Sequence, residues 1–172
     1  MHCEKTFNIV SVLLFMAGFF FSVWSASAGI ENDIVGSKDS VLANSLNDKA
    51  KQMMQRNIDS SEIVLNEALA ISRQNKLENS EALTLKNLGA IYFRRGNYKE
   101  TERLWKESLS IYKKTENMEG ISDLFNNIGV FYFQMKEIDS ALKYHSEALK
   151  YRIQLGDSIQ IASSYGNLGI LY

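Results

Sequence analysis

Apolar residues downstream of residue 38 recur at steps of three and four, which is the spacing of one face of an α-helix. The clearest stripe lies between residues 98 and 115 and consists of Leu104, Trp105, Ser108, Leu109, Ile111 and Tyr112. The same pattern predicts helices at about 59–75, 78–95, 98–115, 118–135, 138–155 and 158–172, separated by short polar turns. The chain contains no proline, so its composition places no breaker inside these helices. The pattern therefore predicts an all-α protein.

A six-residue segment that begins with asparagine returns at intervals of 40 residues, at 87–92, 127–132 and 167–172. One further step back from Asn87 reaches Asn47, so a degenerate copy precedes the others. A fixed period of this kind indicates stacked structural repeats, each of which packs only on its neighbours. The predicted repeat domain is 39–172, divided into a degenerate copy at 39–77, copies at 78–117 and 118–157, and a partial copy at 158–172.

The residues that recur within each copy resemble the tetratricopeptide repeat. They are Leu85, Leu88, Gly89, Tyr92, Gly96, Trp105 and Ser108 in one copy, and Phe125, Ile128, Gly129, Tyr132, Ala141 and Ala148 in the next. The resemblance implies a right-handed superhelical solenoid of antiparallel helix pairs, whose first helices line a concave groove for a protein or peptide. The period of 40 exceeds the usual 34 or so and is similar to that of a longer-helix variety of the family. Gly89 and Gly129 are expected where any Cβ would collide with the neighbouring helix.

The two ends of the repeat array differ in polarity. The degenerate copy carries Asp48, Lys49 and Gln52 at the core positions of the other copies, as a capping repeat that faces water requires. The final helix presents an apolar face that favours self-association or a further helix; it consists of Tyr165, Leu168, Gly169 and Tyr172. Asp59 and Asp139 are predicted to cap the second helices of their copies.

Residues 1–28 have the pattern of a signal peptide. Lys5 precedes an uncharged apolar run at 9–24, and small residues follow at 26–28. We expect cleavage after Ala28, a linker at 29–38, and a periplasmic or secreted protein. An uncleaved membrane anchor is the alternative, because the run approaches the length that spans a bilayer. The single cysteine, Cys3, precedes the run, so cleavage leaves a chain without a disulfide.

The sequence offers no chemistry for an enzyme, a metal ion, a cofactor or a nucleic acid. Its 19 Lys and Arg nearly balance its 20 Asp and Glu, whereas a nucleic-acid surface needs clustered positive charge. After cleavage only one histidine, His145, remains, and the chain contains no phosphate-binding or nucleophile motif. His145 aligns with Leu65 and Trp105 and is therefore expected to pack against the neighbouring helix. We predict a non-catalytic protein.

Asn47, Asn87, Asn127 and Asn167 occupy the same position in the first helix of every copy. The resemblance places this helix on the concave face, where asparagine looks like a clamp for a peptide backbone. A side-chain amide both donates and accepts hydrogen bonds, so it can pair with a peptide of any sequence. The predicted peptide-binding residues are Asn87, Asn127, Asn167, Asn126, Lys86 and Arg94. The alternative is that these asparagines bridge adjacent helices and serve the fold.

The function predicted from these features is that of an exported tetratricopeptide-repeat scaffold that binds a protein or peptide in its groove. The alternative is the extracytoplasmic sensory region of a membrane-bound signalling protein, either a histidine kinase or a helix-turn-helix regulator, of which this chain is an N-terminal fragment. Sequence beyond Tyr172 would discriminate between them.

Overall fold

A computed structural model describes residues 38–172, so the predicted signal peptide and the linker up to residue 37 lie outside the described residues. Within the described range the chain forms helices and no strand, in agreement with the predicted all-α class. The helices are α1 (38–53), α2 (Ile58–Gln74), α3 (Glu78–Arg94), α4 (Tyr98–Lys114), α5 (Met118–Gln134), α6 (Ile138–Leu155) and α7 (Ser158–Gly169).

The helices stack as an all-α solenoid. Each helix from α2 to α6 packs on the helix that follows it in the chain. In addition α3 contacts α5, so the first helices of consecutive copies are direct neighbours. We call α1, α3, α5 and α7 the first helices and α2, α4 and α6 the second helices. This arrangement sets the first helices side by side, and a groove can form along them.

The five turns from α2 to α7 repeat a single backbone geometry. Residues with positive φ occur at Lys76 (54°), Gly96 (75°), Glu116 (53°), Lys136 (62°) and Gly156 (71°), which are spaced by 20 residues. A left-handed residue just after a helix lets the following backbone N–H groups satisfy the last carbonyls of that helix. After α3, for example, the N–H of Asn97 donates to Tyr92 O at 2.9 Å. The constant turn geometry explains why helix bounds could be predicted closely.

The prediction that Asp59 and Asp139 are helix caps was wrong. Asn57 caps α2, and its Oδ1 accepts from Ser60 N at 2.9 Å. Glu137 precedes α6 without a side-chain capping bond. Both aspartates lie in the first helical turn, because each helix begins one residue before its aspartate. A carboxylate there still interacts favourably with the positive end of the helix dipole.

The predicted role of the repeated glycine is confirmed. A Cβ on Gly89 would lie 2.3 Å from Trp105 Nε1, and one on Gly129 would lie 2.8 Å from the His145 ring. The Trp105 indole is buried and donates to Lys86 O at 3.0 Å. His145 is only 3% exposed, as expected for a packing position. Glycine thus lets one ring from α4 and one from α6 pack directly on the preceding first helix.

The first and the last described helix differ in polarity, in partial agreement with the prediction. Asp48, Lys49 and Gln52 are exposed on α1, whose buried side is formed by Ala43, Asn47 and Ala50. The last helix, α7, ends at Gly169 and not at residue 172. Tyr165 on α7 is 59% exposed, whereas Leu168 is partly buried.

Candidate functional site

A groove with a volume of 290 Å³ runs along the N-terminal halves of α3 and α5 and the facing side of α1. We call it the first-helix groove. Its lining is mostly amide, hydroxyl and charged side chains, and consists of Ser40, Asn44, Asn79, Ser80, Leu83, Lys86, Tyr112, Asn117, Glu119, Gly120 and Asp123.

Helical spacing brings these residues to one side. On α3, residues 79, 83 and 86 are separated by four and three positions, which places them on one face. On α5, residues 119 and 123 are four positions apart and face the same space. Tyr112 reaches the groove from the last turn of α4 and packs against Gly120, where an added Cβ would lie 2.4 Å from its ring. The ring of Tyr112 and the backbone at Gly120 therefore form the bottom of the groove.

Side-chain hydrogen bonds tie the walls of the groove together. Ser80 Oγ on α3 donates to Asn44 Oδ1 on α1 at 2.9 Å. Asn117 Nδ2 donates to Asn79 Oδ1 at 3.0 Å, and Thr115 Oγ1 donates to the same oxygen at 2.9 Å. Asn117 also caps α5, because its Oδ1 accepts from Gly120 N at 2.8 Å. The amides are thus held in defined orientations before any partner arrives.

An ion pair crosses the middle of the groove. Lys86 Nζ on α3 lies 2.8 Å from Asp123 Oδ2 on α5, and the side chain of Lys86 is only 11% exposed. Arg152 Nη2 on α6 lies 3.7 Å from Asp123 Oδ1. Asp123, whose side chain is 34% exposed, therefore forms ion pairs with two buried cations and connects α3, α5 and α6. A buried cation needs such a partner, because its desolvation would otherwise oppose folding.

Tyr112 contributes a neutral hydroxyl to the groove. Burial raises the pKa of Tyr112 well above its ordinary value of 10, and the negative charges of Asp123 and Glu119 act in the same direction. The phenol therefore stays protonated at neutral pH and is available as a hydrogen-bond donor.

The structure brings only one of the six predicted binding residues, Lys86, into the lining of this groove. Asn87 Nδ2 donates to Asn47 Oδ1 at 2.8 Å, and Asn167 Nδ2 donates to Asn126 Oδ1 at 2.8 Å. These bonds connect first helices of neighbouring copies, as the structural alternative for the asparagines requires. The other two predicted residues lie elsewhere on the first helices: Arg94 donates to Met54 O at 3.1 Å, and Asn127 is partly buried on α5. Their peptide-binding role remains a prediction.

Sequence reasoning did not single out Asn44, Asn79, Tyr112 or Asn117. They fall outside the repeated six-residue segment on which the asparagine prediction rested. A usable signal was present for Asn79, because residues 79 and 83 share one helical face with Lys86. Tyr112 could not be found in this way, since it belongs to the second helix and reaches the groove only through the close contact at Gly120.

Between residues 38 and 172, no three His, Cys, Asp or Glu side chains are grouped so that they could hold a metal ion. Among the helices of this same range, none is long and apolar enough to cross a membrane.

A stack of helical hairpins with a polar groove along one set of helices defines the class of helical-repeat scaffolds. Two tetratricopeptide-repeat family models match this chain, one at residues 82–117 and the other at residues 120–172. The chain belongs to the tetratricopeptide repeat family. Proteins of this family are generally non-catalytic scaffolds that bind protein partners.

A similar solved structure is the crystal structure of BtubC (BKLC) from P. vanneervenii, with a TM-score of 0.62 and 24% sequence identity. The similarity covers 82% of this chain and 56% of that chain, so this chain spans little more than half of its length. At this identity the likeness concerns the fold alone. A search of curated proteins found no match.

Proposed function

We propose that this protein is an exported scaffold that binds an extended segment of a partner protein along the first-helix groove. The observation that carries the proposal is the lining of the groove by oriented amides and hydroxyls around the Lys86–Asp123 ion pair. Such groups can donate to and accept from a peptide backbone of any sequence.

Charge gives the groove a modest preference among segments. Lys86 is neutralised by Asp123, whereas Glu119 is exposed at the edge of the groove. A segment with a positive side chain near Glu119 is therefore favoured over a neutral one. An exposed ion pair contributes at most about 1 kcal/mol, so the amides supply the general affinity and Glu119 tunes it.

Binding in the groove can be tested with variants that leave the fold intact. Partners captured by the full chain are mapped to a minimal peptide, and affinity for that peptide is measured by calorimetry. Asn79 is exposed, and Asn79→Ala should weaken binding about three- to tenfold through the loss of one or two neutral hydrogen bonds. Asn66→Ala, at an exposed position of α2 outside the groove, is the matched control and should bind as the parent does. Equal affinity of parent and Asn79→Ala would exclude the groove as the binding surface.

The export part of the proposal rests on the apolar run and the small residues within 1–28. The mass of the protein and the cell fraction from which it is recovered in a bacterial host distinguish the outcomes. A mature chain beginning at Gly29 in the periplasm or medium supports export with cleavage. Full-length chain in the membrane fraction supports the anchor, and full-length chain in the cytoplasm contradicts export.

A further inference from the structure

A second concave site lies on the side of the second helices and shares no residue with the first-helix groove. It is a slot of 120 Å³ between α4, α5 and α6. Its walls include Trp105, Leu109, Tyr132 and Tyr144, and Glu102 and Lys106 of α4 provide its polar groups. We call it the second-helix slot.

The chain shows what occupies the equivalent place one repeat earlier. There Tyr92 Oη donates to Glu62 Oε1 at 2.7 Å, so an aromatic ring and a carboxylate are held together. The guanidinium of Arg95 joins them: Nη1 donates to Glu62 Oε2 at 2.6 Å, and Nη2 donates to Asp59 Oδ1 at 2.5 Å. Its Cζ lies 5.9 Å from the centre of the Tyr92 ring, within the range of a cation–π contact.

Forty residues later the tyrosine and the glutamate recur, but the arginine does not. Tyr132 and Glu102 stand where Tyr92 and Glu62 stood, but Met135 takes the place of Arg95 and packs into the hydrophobic core. Tyr132 now stacks on Tyr144, with ring centres 5.3 Å apart and an angle of 2° between the planes. An aromatic wall and a carboxylate therefore face the slot without the internal guanidinium of the previous repeat.

The groups already near Glu102 are weak competitors. Lys106 Nζ lies 3.4 Å from Glu102 Oε2, and its side chain is 79% exposed. An exposed ion pair of this kind contributes little and is readily exchanged. Lys143 Nζ lies 5.8 Å from the centre of the Tyr144 ring, and Lys99 replaces Asp59 of the previous repeat. These lysines disfavour a strongly basic segment and favour a single cationic side chain flanked by neutral residues.

We propose that the second-helix slot binds one arginine side chain of a partner protein, with its guanidinium on Glu102 and against Tyr132. Arginine fits better than lysine, because its planar group can bind a carboxylate through two hydrogen bonds while it stacks on an aromatic face. The apolar stem of the side chain would lie along Leu109 and Trp105. The site is independent of the first-helix groove.

Binding can be measured with acetyl-arginine amide as the probe and acetyl-citrulline amide as its uncharged analogue. The protein is titrated while the indole N–H of Trp105 is followed by NMR. Trp105 is the only tryptophan after residue 28, and Trp24→Phe assigns its resonance in the uncleaved chain. We expect a saturable shift with the arginine probe, and binding about tenfold weaker both for the citrulline probe and for Glu102→Gln. Glu67→Gln, at an exposed position of α2 away from the slot, should bind as the parent does. Equal binding of the two probes, or no effect of Glu102→Gln, would overturn the proposal.

The repeat supplies a reciprocal test. Met135→Arg should introduce the internal guanidinium and abolish binding of the arginine probe at the slot. Arg95→Met should open a second site beside Tyr92, tighter than the slot because Asp59 stands there instead of Lys99. The circular dichroism of each variant confirms folding, and Arg95→Met remains decisive if Met135→Arg does not fold. A folded Arg95→Met that gains no second site would remove the equivalence on which the proposal depends.

Discussion

Gly89→Ala tests the contact that determines how closely α4 approaches α3. The new Cβ would lie 2.3 Å from Nε1 and 2.4 Å from Cδ1 of Trp105, distances that no relaxed structure tolerates. Trp105 has little room to move, because it is 3% exposed and its indole N–H donates to Lys86 O at 3.0 Å. Either α4 shifts away from α3, or the indole turns and loses this hydrogen bond.

The expected magnitude follows from three contributions. Overpacking of a buried site destabilises by about 1–3 kcal/mol. Loss of the indole hydrogen bond destabilises the fold by about 1 kcal/mol more. The higher helix propensity of alanine stabilises it by about 1 kcal/mol. We therefore expect Gly89→Ala to lower the free energy of unfolding by about 1–3 kcal/mol. Gly166→Ala is the matched control, since no atom lies within 4 Å of its added Cβ, and it should be neutral or stabilising by up to about 1 kcal/mol.

Urea unfolding of the full chain, followed by circular dichroism at 222 nm (the usual wavelength for helix), gives these free energies. A double-mutant cycle with Trp105→Leu isolates the contact, because leucine occupies the equivalent position at residue 65. The double variant should lose about 1 kcal/mol less than the sum of the two single losses. If Gly89→Ala is as stable as the parent, or if the two losses simply add, then the glycine does not act through Trp105.

Two further predictions concern buried polar groups. Asn87→Ala removes the donor to the buried Oδ1 of Asn47, so urea unfolding should show that the free energy of unfolding falls by about 1–3 kcal/mol. Unchanged stability with weaker partner binding would instead support the peptide clamp. Burial, and secondarily the charge of Arg152, lowers the pKa of His145 below its ordinary 6.5, so the neutral ring is the form favoured by folding. The parent should therefore lose stability as the pH falls from about 6.5 towards 5, and His145→Leu should lose less over that range; parallel pH profiles of the two would contradict this.

The fold was predictable from sequence because helix and turn obey one repeated rule. Each helix from α2 to α6 begins and ends within about one residue of its predicted bounds, since the left-handed turn residues recur every 20 positions. The capping aspartates were misassigned because a shift of one or two residues in a helix boundary changes the role of a side chain, and boundaries are uncertain by about that much. At α2 the shift moved the cap to Asn57 and left Asp59 for an ion pair with Arg95.

The first-helix groove was less predictable, because its lining depends on contacts between copies. Lys86 was identified, but its partner Asp123 is 37 residues away, and their ion pair depends on α3 and α5 lying side by side. Tyr112 enters the groove only because Gly120 admits its ring. Such relations depend on the distance between helices, which the spacing of apolar residues does not specify.

Repetition within a chain indicates mainly what each copy needs from its neighbours. Asn47 and Asn87 recur and bind each other across two copies, and the recurring glycine admits the ring of the second helix in its own copy. The two proposed binding sites arise instead where equivalent positions differ. Leu83 becomes Asp123 and creates the ion pair that crosses the groove, while Arg95 becomes Met135 and leaves Glu102 facing the second-helix slot. A solenoid must keep its stacking contacts in every copy, so we expect a partner to be recognised at internal positions where a copy departs from the pattern.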